Sequence, residues 1–437
     1  MKISISIIIS AILIFSIFSA SFIASTLAQE EMTPNWKYTN GGDFSKIGIS
    51  GDGNYIGAGT YDTHRFYLFH GNTSLWSSLL SGPVQSISMS SDGGYAAVGT
   101  VNYGGSDFYI FNRNSADPIL KYYSEAGGSE GVISSDGKHA LVAFSPGVGV
   151  LAGLRSEVML FEIGKSEPSW TTYLTGSVYS LSMSQDGEYF VITAGNYEAN
   201  VTGTIYLFDR EQQTPLWTYT IGEYGANAVI TGDGNYVIAV GGAQEDGSDY
   251  AIYQFSSQSS DPLWQAPLVT TNPLCTWGLS TSYNGSVSAV GLDQGAEGKI
   301  VLFDKNIAHE LPIEGSGYQM TMSMDGRYIF VNNAHLLSCE YSAGTLDLKQ
   351  EYQPTQHQVV EWFTNIASSA DGKYVTAAVD IGADQNGVFF FSRMTETSGP
   401  NNQYGLILIV AVVLAVVLVL GVALFSLKRI LHRKPIG

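Results

Sequence analysis

The chain has 437 residues, with 39 acidic side chains, 20 lysines and arginines, seven histidines and two cysteines, for a net charge of −19. That balance excludes a phosphate-binding surface for nucleic acid, which needs the opposite sign. Two cysteines exclude a disulfide framework and a zinc cluster built from cysteines alone.

The chain opens with Met1 and Lys2, then an apolar run rich in Ile, Ser and Ala as far as about Ile23. One positive charge, an apolar stretch and small residues, in that order, make residues 1–28 a secretory signal peptide, with cleavage expected after Ala28 and, given the length of the run, an uncleaved signal anchor as the alternative. Residues 29–404 then hold all 39 acidic side chains and 15 of the basic ones, a net charge of −24. Such a surface is soluble and attracts cations or basic partners. Asn72, Asn200 and Asn284 each begin an Asn-x-Ser/Thr triplet, the acceptor pattern for glycosylation in an exported protein. Cys275 and Cys339 fall in adjacent repeats, and an oxidising compartment permits a bridge between them.

The fold is set by self-similarity. Ser50-Gly51-Asp52-Gly53-Asn54-Tyr55 is followed by Ser90-Ser91-Asp92-Gly93-Gly94-Tyr95. Asp136-Gly137, Asp186-Gly187, Asp233-Gly234, Asn284-Gly285, Asp325-Gly326 and Asp371-Gly372 continue the series, at spacings of 40 to 51 residues. This is the period of propeller blades. Before each turn lies an alternating run such as Val84–Met89, whose period of two is that of a strand. Asp-Gly supplies the tight hairpin, and a second strand of small residues follows. A third strand reads like Ile205-Tyr206-Leu207-Phe208-Asp209, and a fourth carries Pro215-Leu216-Trp217 or Pro262-Leu263-Trp264. Large aromatics there should pack between neighbouring sheets. Four antiparallel strands make a blade.

The last repeat stops at its third strand, Val388-Phe389-Phe390-Phe391, whereas Pro34-Asn35-Trp36-Lys37-Tyr38 precedes the first repeat as a fourth strand without a blade. The two ends should therefore complete one blade and close the ring, which removes free sheet edges. The expectation is an all-β, eight-bladed β-propeller over residues 29–394, with seven blades as the alternative if the divergent 318–350 repeat does not form one.

A linker, 395–404, leads to an uncharged aliphatic run within residues 405–427. The 22 residues from Leu406 to Leu427 span about 33 Å as a helix, enough to cross a bilayer. Lys428, Arg429, Arg433 and Lys434 follow in the tail 428–437. Basic residues stay on the cytoplasmic side. The reading is a single-pass type I membrane protein with its propeller outside, on a prokaryotic or archaeal envelope or a eukaryotic surface.

The Ser-x-Asp-Gly-x-Tyr turn and the Leu-Phe-Asp and Pro-Leu-Trp strands resemble those of the WD40-like and quinoprotein-like (PQQ-like) propeller superfamily. The resemblance covers nearly the whole of 29–394. The Gly-His and Trp-Asp pairs of true WD40 repeats are absent. The resemblance implies a binding platform in most cases and an enzyme in some.

No catalytic constellation stands out. The histidines form no pair at metal-ligand spacing. Gly127-Gly128-Ser129-Glu130-Gly131 matches a nucleophile elbow but leads into the first strand of a blade instead of a helix. The Asp-Gly carboxylates are hairpin formers. No cofactor is expected, although Asp246 and Asp249 could ligate calcium.

A ligand should meet the face that carries the loops between second and third strands, which vary most in length at 144–157, 194–204, 241–249 and 380–387. Seven residues before each turn Asp or Asn lies a column that reads Ser45, Gln85, Ser129, Tyr179, Ala226, Trp277, Tyr318 and Thr364. Tyr179, Trp277 and Tyr318 could stack on a sugar or hold a peptide at the channel mouth, or plug the channel as packing. The expected function is non-catalytic binding or scaffolding of surface protein or glycan partners. The alternatives are an extracellular propeller enzyme (hydrolase, lyase or quinone-dependent dehydrogenase) and a structural role in envelope assembly.

Overall fold

The computed structural model describes residues 30–393, except 41, 103, 147–154, 196–202, 223, 244–246, 271–277, 294–296, 315–318, 333–334, 353–361 and 381–385. The signal peptide, the linker, the apolar 405–427 segment and the basic tail lie outside these residues. Among the described residues no helix is long and apolar enough to cross a membrane.

Eight antiparallel sheets form the propeller. In chain order, blades I to VIII comprise residues 44–79, 84–124, 128–175, 177–220, 224–267, 279–314, 319–352 and 362–392. The first strand of each is innermost and neighbours the first strands on either side, with Phe44–Ile49 of blade I beside Trp362–Ser368 of blade VIII. The divergent repeat is a regular blade VII, with four strands from Gln319–Met322 to Thr345–Tyr352. The ring therefore has eight blades, and the seven-bladed alternative falls.

Closure follows the sequence expectation. Trp36–Thr39 pairs antiparallel with blade VIII, Trp36 opposite Phe390 and Thr39 opposite Gly387. A second N-terminal piece goes beyond it. Glu30–Glu31 adds a parallel strand to blade VII, beside Gln350 and Glu351. Met32, 3% exposed, lies between the two pieces in a cluster with Tyr328, Phe330, Phe389 and Phe391. Ten residues thus bridge the outer edges of two blades.

The repeated turn accounts for its own polar groups. The Ser50 hydroxyl donates to Asp52 Oδ1 (2.6 Å) and accepts the Tyr55 N–H (3.0 Å). Asp52 Oδ1 also accepts the Asn54 N–H at 3.0 Å. The same two side-chain bonds recur from Ser90 to Ser369, with Thr231 in place of serine in blade V and Asn284 in place of aspartate in blade VI. Ser50 and its counterparts are buried, so an unpaired hydroxyl there would be costly.

Two rings of contacts link the turns. The residue after each turn Ser, and in blade V the second residue after Thr231, bonds through its backbone to the next blade: Gly51 donates to Ser91 O, Ser91 to Ser135 O, Ser135 to Gln185 O and Gln185 to Gly232 O. Asp233 to Tyr283 O, Tyr283 to Met324 O, Met324 to Ala370 O and Ala370 to Gly51 O complete the circle, all at 2.8–3.1 Å. Beside this belt, the residue that ends each motif, an aromatic except for Val287 in blade VI, lies against the turn glycine of the following blade. A Cβ on Gly93 would lie 2.4 Å from the Tyr55 ring, and one on Gly53 would lie 2.4 Å from the Tyr374 ring. These glycines have φ of +65° and +77°, so both backbone and contact require glycine.

Further out, the fourth-strand tryptophans lie between sheets as expected. Trp76 Nε1 donates to Arg113 O (2.9 Å), Trp170 to Arg210 O (2.8 Å) and Trp217 to Ser257 O (3.0 Å), each in the next blade. Trp36 stacks on Phe390, ring centroids 5.5 Å apart, and reaches Phe69 of blade I. The indoles of Trp76, Trp170 and Trp217 each bury apolar area and satisfy their single donor.

Candidate functional site

Hairpin connectivity puts the Asp-Gly turns and the third-to-fourth-strand hairpins at one end of the ring. The second-to-third-strand loops lie at the other. Those loops join Ser145 to Arg155, Gly195 to Thr204, Gly242 to Ala251 and Asp380 to Gly387. In blade I the loop is short and carries Tyr61, 56% exposed.

The ring encloses a central channel, and its wall raises an accounting question. An innermost strand has one free edge, and its N–H groups need partners. Side chains six residues before the turn Asp supply many of them. Gly131 N–H reaches Ser86 Oγ (3.1 Å), Ala228 N–H reaches Ser180 Oγ (3.0 Å) and Ile47 N–H reaches Asn365 Oδ1 (3.0 Å). Asn365 Nδ2 in turn donates to Gln319 Oε1 (3.0 Å). Two residues further along, Ser88 and Ser182 accept from Ile133 and Ile230 in the same way, both at 3.2 Å. Hydroxyls and amides thus stitch blade II to III, IV to V, VII to VIII and VIII to I.

Two members of this column are charged: Lys46 in blade I and Glu130 in blade III. Neither has a hydrogen-bond or ion-pair partner among the described residues. Burial pushes the Lys46 ammonium below the usual lysine range, against the attraction of Glu130. Burial pushes the Glu130 carboxyl upward, against the attraction of Lys46. Both effects are desolvation. Between them in blade II, Gln85 leans on blade III, its Oε1 buried without a partner and 2.7 Å from where a Gly128 Cβ would lie.

At the Asp-Gly end one side-chain contact spans the ring. Gln185 of blade IV extends Nε2 to 3.3 Å from Met324 Sδ of blade VII. The Tyr283 ring lies over Gly232, where a Cβ would sit 2.4 Å from it.

The column seven residues before the turns falls largely on β-bulges. The register skips Ser45, Gln85, Tyr179 and Thr364, and a bulge re-aims the residue it leaves unpaired. Ser45 Oγ donates to Val84 O (3.2 Å). The Tyr179 ring rests on Gly195 and packs against the apolar cluster between blades IV and V that contains Ile205 and Ala228. Trp277 and Tyr318 lie outside the described residues. Ser129 of the Gly-x-Ser-x-Gly match is fully buried within the strand Gly128–Ile133, where its hydroxyl bonds the backbone of Thr100 and Asp107.

Asn72 is exposed in the third-to-fourth-strand hairpin of blade I. Asn284 is exposed in its turn, and its Oδ1 accepts the Ser286 N–H (3.1 Å). Asn200 lies outside the described residues, as do Cys275 and Asp246. Cys339 is fully buried among Ile300, Leu302 and Leu337, and burial pushes its thiol up to about 12. Asp249 Oδ2 accepts the Ala243 N–H at 3.0 Å. Among the described residues no group of three or more His, Cys, Asp or Glu is placed to hold a metal ion.

The trio Lys46, Gln85 and Glu130 escaped the sequence reading. Its signal was available: at the offset six before the turns, Ser, Asn and Gln predominate, and Lys46 and Glu130 are the charged exceptions.

No protein-family profile matches the chain, and no curated protein matches it. Solved structures do. The chain is similar to yeast Sqt1 from Saccharomyces cerevisiae, with a TM-score of 0.62 and 12% identity over 84% of this chain and 100% of that one. Hydrazine synthase from Kuenenia stuttgartiensis aligns with a TM-score of 0.49 and 14% identity over 79% of this chain and 97% of that one. At these identities the likeness to Sqt1 is one of fold: the chain is an eight-bladed β-propeller.

Proposed function

We propose that this chain is a cell-surface binding platform: a propeller exported by residues 1–28, anchored through residues 405–427, and engaging protein or glycan partners without chemical turnover. The observation that carries the proposal is the closed ring. The backbone belt and the N-terminal bridge fix eight blades to one another, and loops of unequal length rise from one end of that frame. Recognition by variable loops on a rigid scaffold is a common use of such architecture. The turn carboxylates are engaged with the Ser hydroxyls and backbone amides of their own hairpins.

In this reading Trp277 and Tyr318 are contact residues, and Tyr179 contributes its edge while packing between blades. Glycans at Asn72, Asn200 and Asn284 and calcium at the 241–249 loop belong to the proposal as accessory features. The test is capture of surface-protein extracts and a glycan array with the 29–404 segment. A specific partner should be retained by Tyr179→Phe and lost with Trp277→Ala and Tyr318→Ala in folded protein. Absence of both protein and glycan partners would count against the platform reading and redirect work to turnover assays.

A further inference from the structure

We infer, on the anchored reading above, that the Asp-Gly end of the propeller rests on a lipid bilayer through exposed aliphatic side chains on its outer rim. Six leucines and isoleucines are strongly exposed among the described residues, and five of them lie at this end: Leu75 (44%), Ile119 (46%), Leu216 (40%), Leu263 (57%) and Ile307 (62%). Leu75, Ile119, Leu216 and Leu263 occupy one repeated position. Each stands immediately before the fourth-strand residue that packs between blades, namely Trp76, Leu120, Trp217 and Trp264. Leu75 and Leu263 are the residues that the strand register skips, so a bulge re-aims them. Ile307 opens the fourth strand of blade VI, opposite Asp304. None of the five belongs to an apolar cluster between blades, so the fold does not account for them.

The length of the remaining chain says what covers them. Ser392 pairs with Tyr374 beside the turn of blade VIII, and Arg393 donates its N–H to Lys373 O (2.8 Å). The chain therefore leaves the propeller at the Asp-Gly end. Residues 394–404 separate this exit from the apolar run, and fully extended they reach at most about 40 Å. The longest blade strands have eight residues and rise about 27 Å. A linker that ran back along such a wall would have roughly 13 Å left to reach a bilayer at the opposite end. That bilayer would also cover the unequal loops.

Charge placement agrees. Of the 15 lysines and arginines in residues 29–404, eight lie in the turns or the third-to-fourth-strand hairpins of the Asp-Gly end, or just after blade VIII. Arg113, Arg210 and Lys305 share hairpins with Ile119, Leu216 and Ile307. Aliphatic side chains interleaved with cations match a bilayer interface, where the first enter the acyl boundary and the second meet phosphates. The turn carboxylates lie at the same end, so a zwitterionic bilayer fits better than a strongly anionic one.

The test uses the full-length chain in phosphatidylcholine vesicles, with Cys275→Ser as background and the buried Cys339 left in place. A nitrobenzoxadiazole label is carried by Ile119→Cys, Leu263→Cys or Tyr61→Cys, and brominated phosphatidylcholine serves as quencher. The labels at 119 and 263 should emit to the blue and lose at least about half their intensity to the brominated lipid, as groups at the acyl boundary do. The label at 61 should lose none. Leu216→Ser, Leu263→Ser and Ile307→Ser together should reduce quenching at 119 and leave the melting midpoint unchanged, which separates lost lipid contact from lost folding. Blue-shifted emission without lipid quenching would mean that a second copy or another protein covers the rim, and would overturn the assignment. Quenching at 61, or labels at 119 and 263 as wet as that at 61, would overturn it too. Release of the chain from the vesicles by alkaline carbonate would overturn the anchored reading, and this one with it.

Discussion

The backbone N–H of Ala370 donates to Gly51 O at 2.9 Å, and with that bond the eighth blade is joined to the first. The residues are 319 positions apart in sequence, yet they occupy equivalent places after the serine of their turns. At the rim, the chain's last blade also takes its outer strand from residues 36–39. Closure is thus made twice, by backbone bonds at the channel and by strand exchange at the rim.

Deleting residues 30–39 should therefore weaken the whole ring and not only one blade. The expected outcome is a lower midpoint for all probes of unfolding, with blades VII and VIII losing amide protection first. Met32→Ala alone should cost about 2–5 kcal/mol, the range for a buried methionine. Chemical denaturation and hydrogen exchange give both readouts.

Gly53 and Gly71 separate backbone strain from inter-blade packing. Both have positive φ, +77° and +54°. A Cβ at Gly71 would meet nothing within 4 Å, whereas one at Gly53 would strike the Tyr374 ring. Gly71→Ala should cost about 1–2 kcal/mol, and Gly53→Ala clearly more. Equal costs in urea denaturation would mean that the Tyr374–Gly53 contact adds nothing.

Asp92 tests the turn chemistry. Its carboxylate accepts the Gly94 N–H and the Ser90 hydroxyl, both at 2.8 Å, and these bonds hold it below the usual carboxylate range. Its contribution to stability is full above the ordinary aspartate pKa of about 4 and is lost as the pH falls through the lower folded-state value. Asp92→Ala should cost about 1–2 kcal/mol at neutral pH. Asp92→Asn should cost less, because Asn284 fills the same role in blade VI. The difference between parent and Asp92→Asn should shrink in acid.

Burial of Lys46 and Glu130 should lower stability. Glu130 holds its proton more tightly folded than unfolded, so its penalty grows as the pH rises above the ordinary carboxylate range. Lys46 loses its proton more readily when folded, so its penalty is present at neutral pH and is relieved only as the pH approaches the ordinary lysine range. Lys46→Met combined with Glu130→Gln should raise neutral-pH stability by about 1–4 kcal/mol. Melting curves across pH should also be flatter for the double variant.

Cys339 should resist alkylation in the native protein and react only after unfolding. Its side chain is fully buried, and its thiol is pushed up to about 12, so almost no thiolate exists at neutral pH. Peptide mass analysis after native and denaturing iodoacetamide treatment gives the comparison, and modification in the native state would contradict the buried placement.

Much of this architecture could be read from the chain because it depends on local, repeated chemistry. Asp-Gly marks a hairpin wherever it occurs, and the lone Trp36 strand matched a last blade that lacked one. The Glu30–Glu31 strand was not legible, since two acidic residues carry no strand pattern and their pairing with Gln350 and Glu351 is non-local. The turn tyrosines showed as a motif, but only the structure reveals that Tyr374 packs on Gly53 of another blade. The bulges that leave Ser45, Gln85 and Tyr179 out of register were not legible either, since an alternating run carries no mark of an inserted residue.

The platform reading is tested most directly by photo-cross-linking from opposite ends of the ring. A cross-linking amino acid at Tyr61 reports on the variable-loop end, and one at Asn72 reports on the Asp-Gly end. With the full-length chain on its native cells, the account predicts specific partner adducts from Tyr61 and none from Asn72. Adducts only from Asn72, or none from either end, would contradict it.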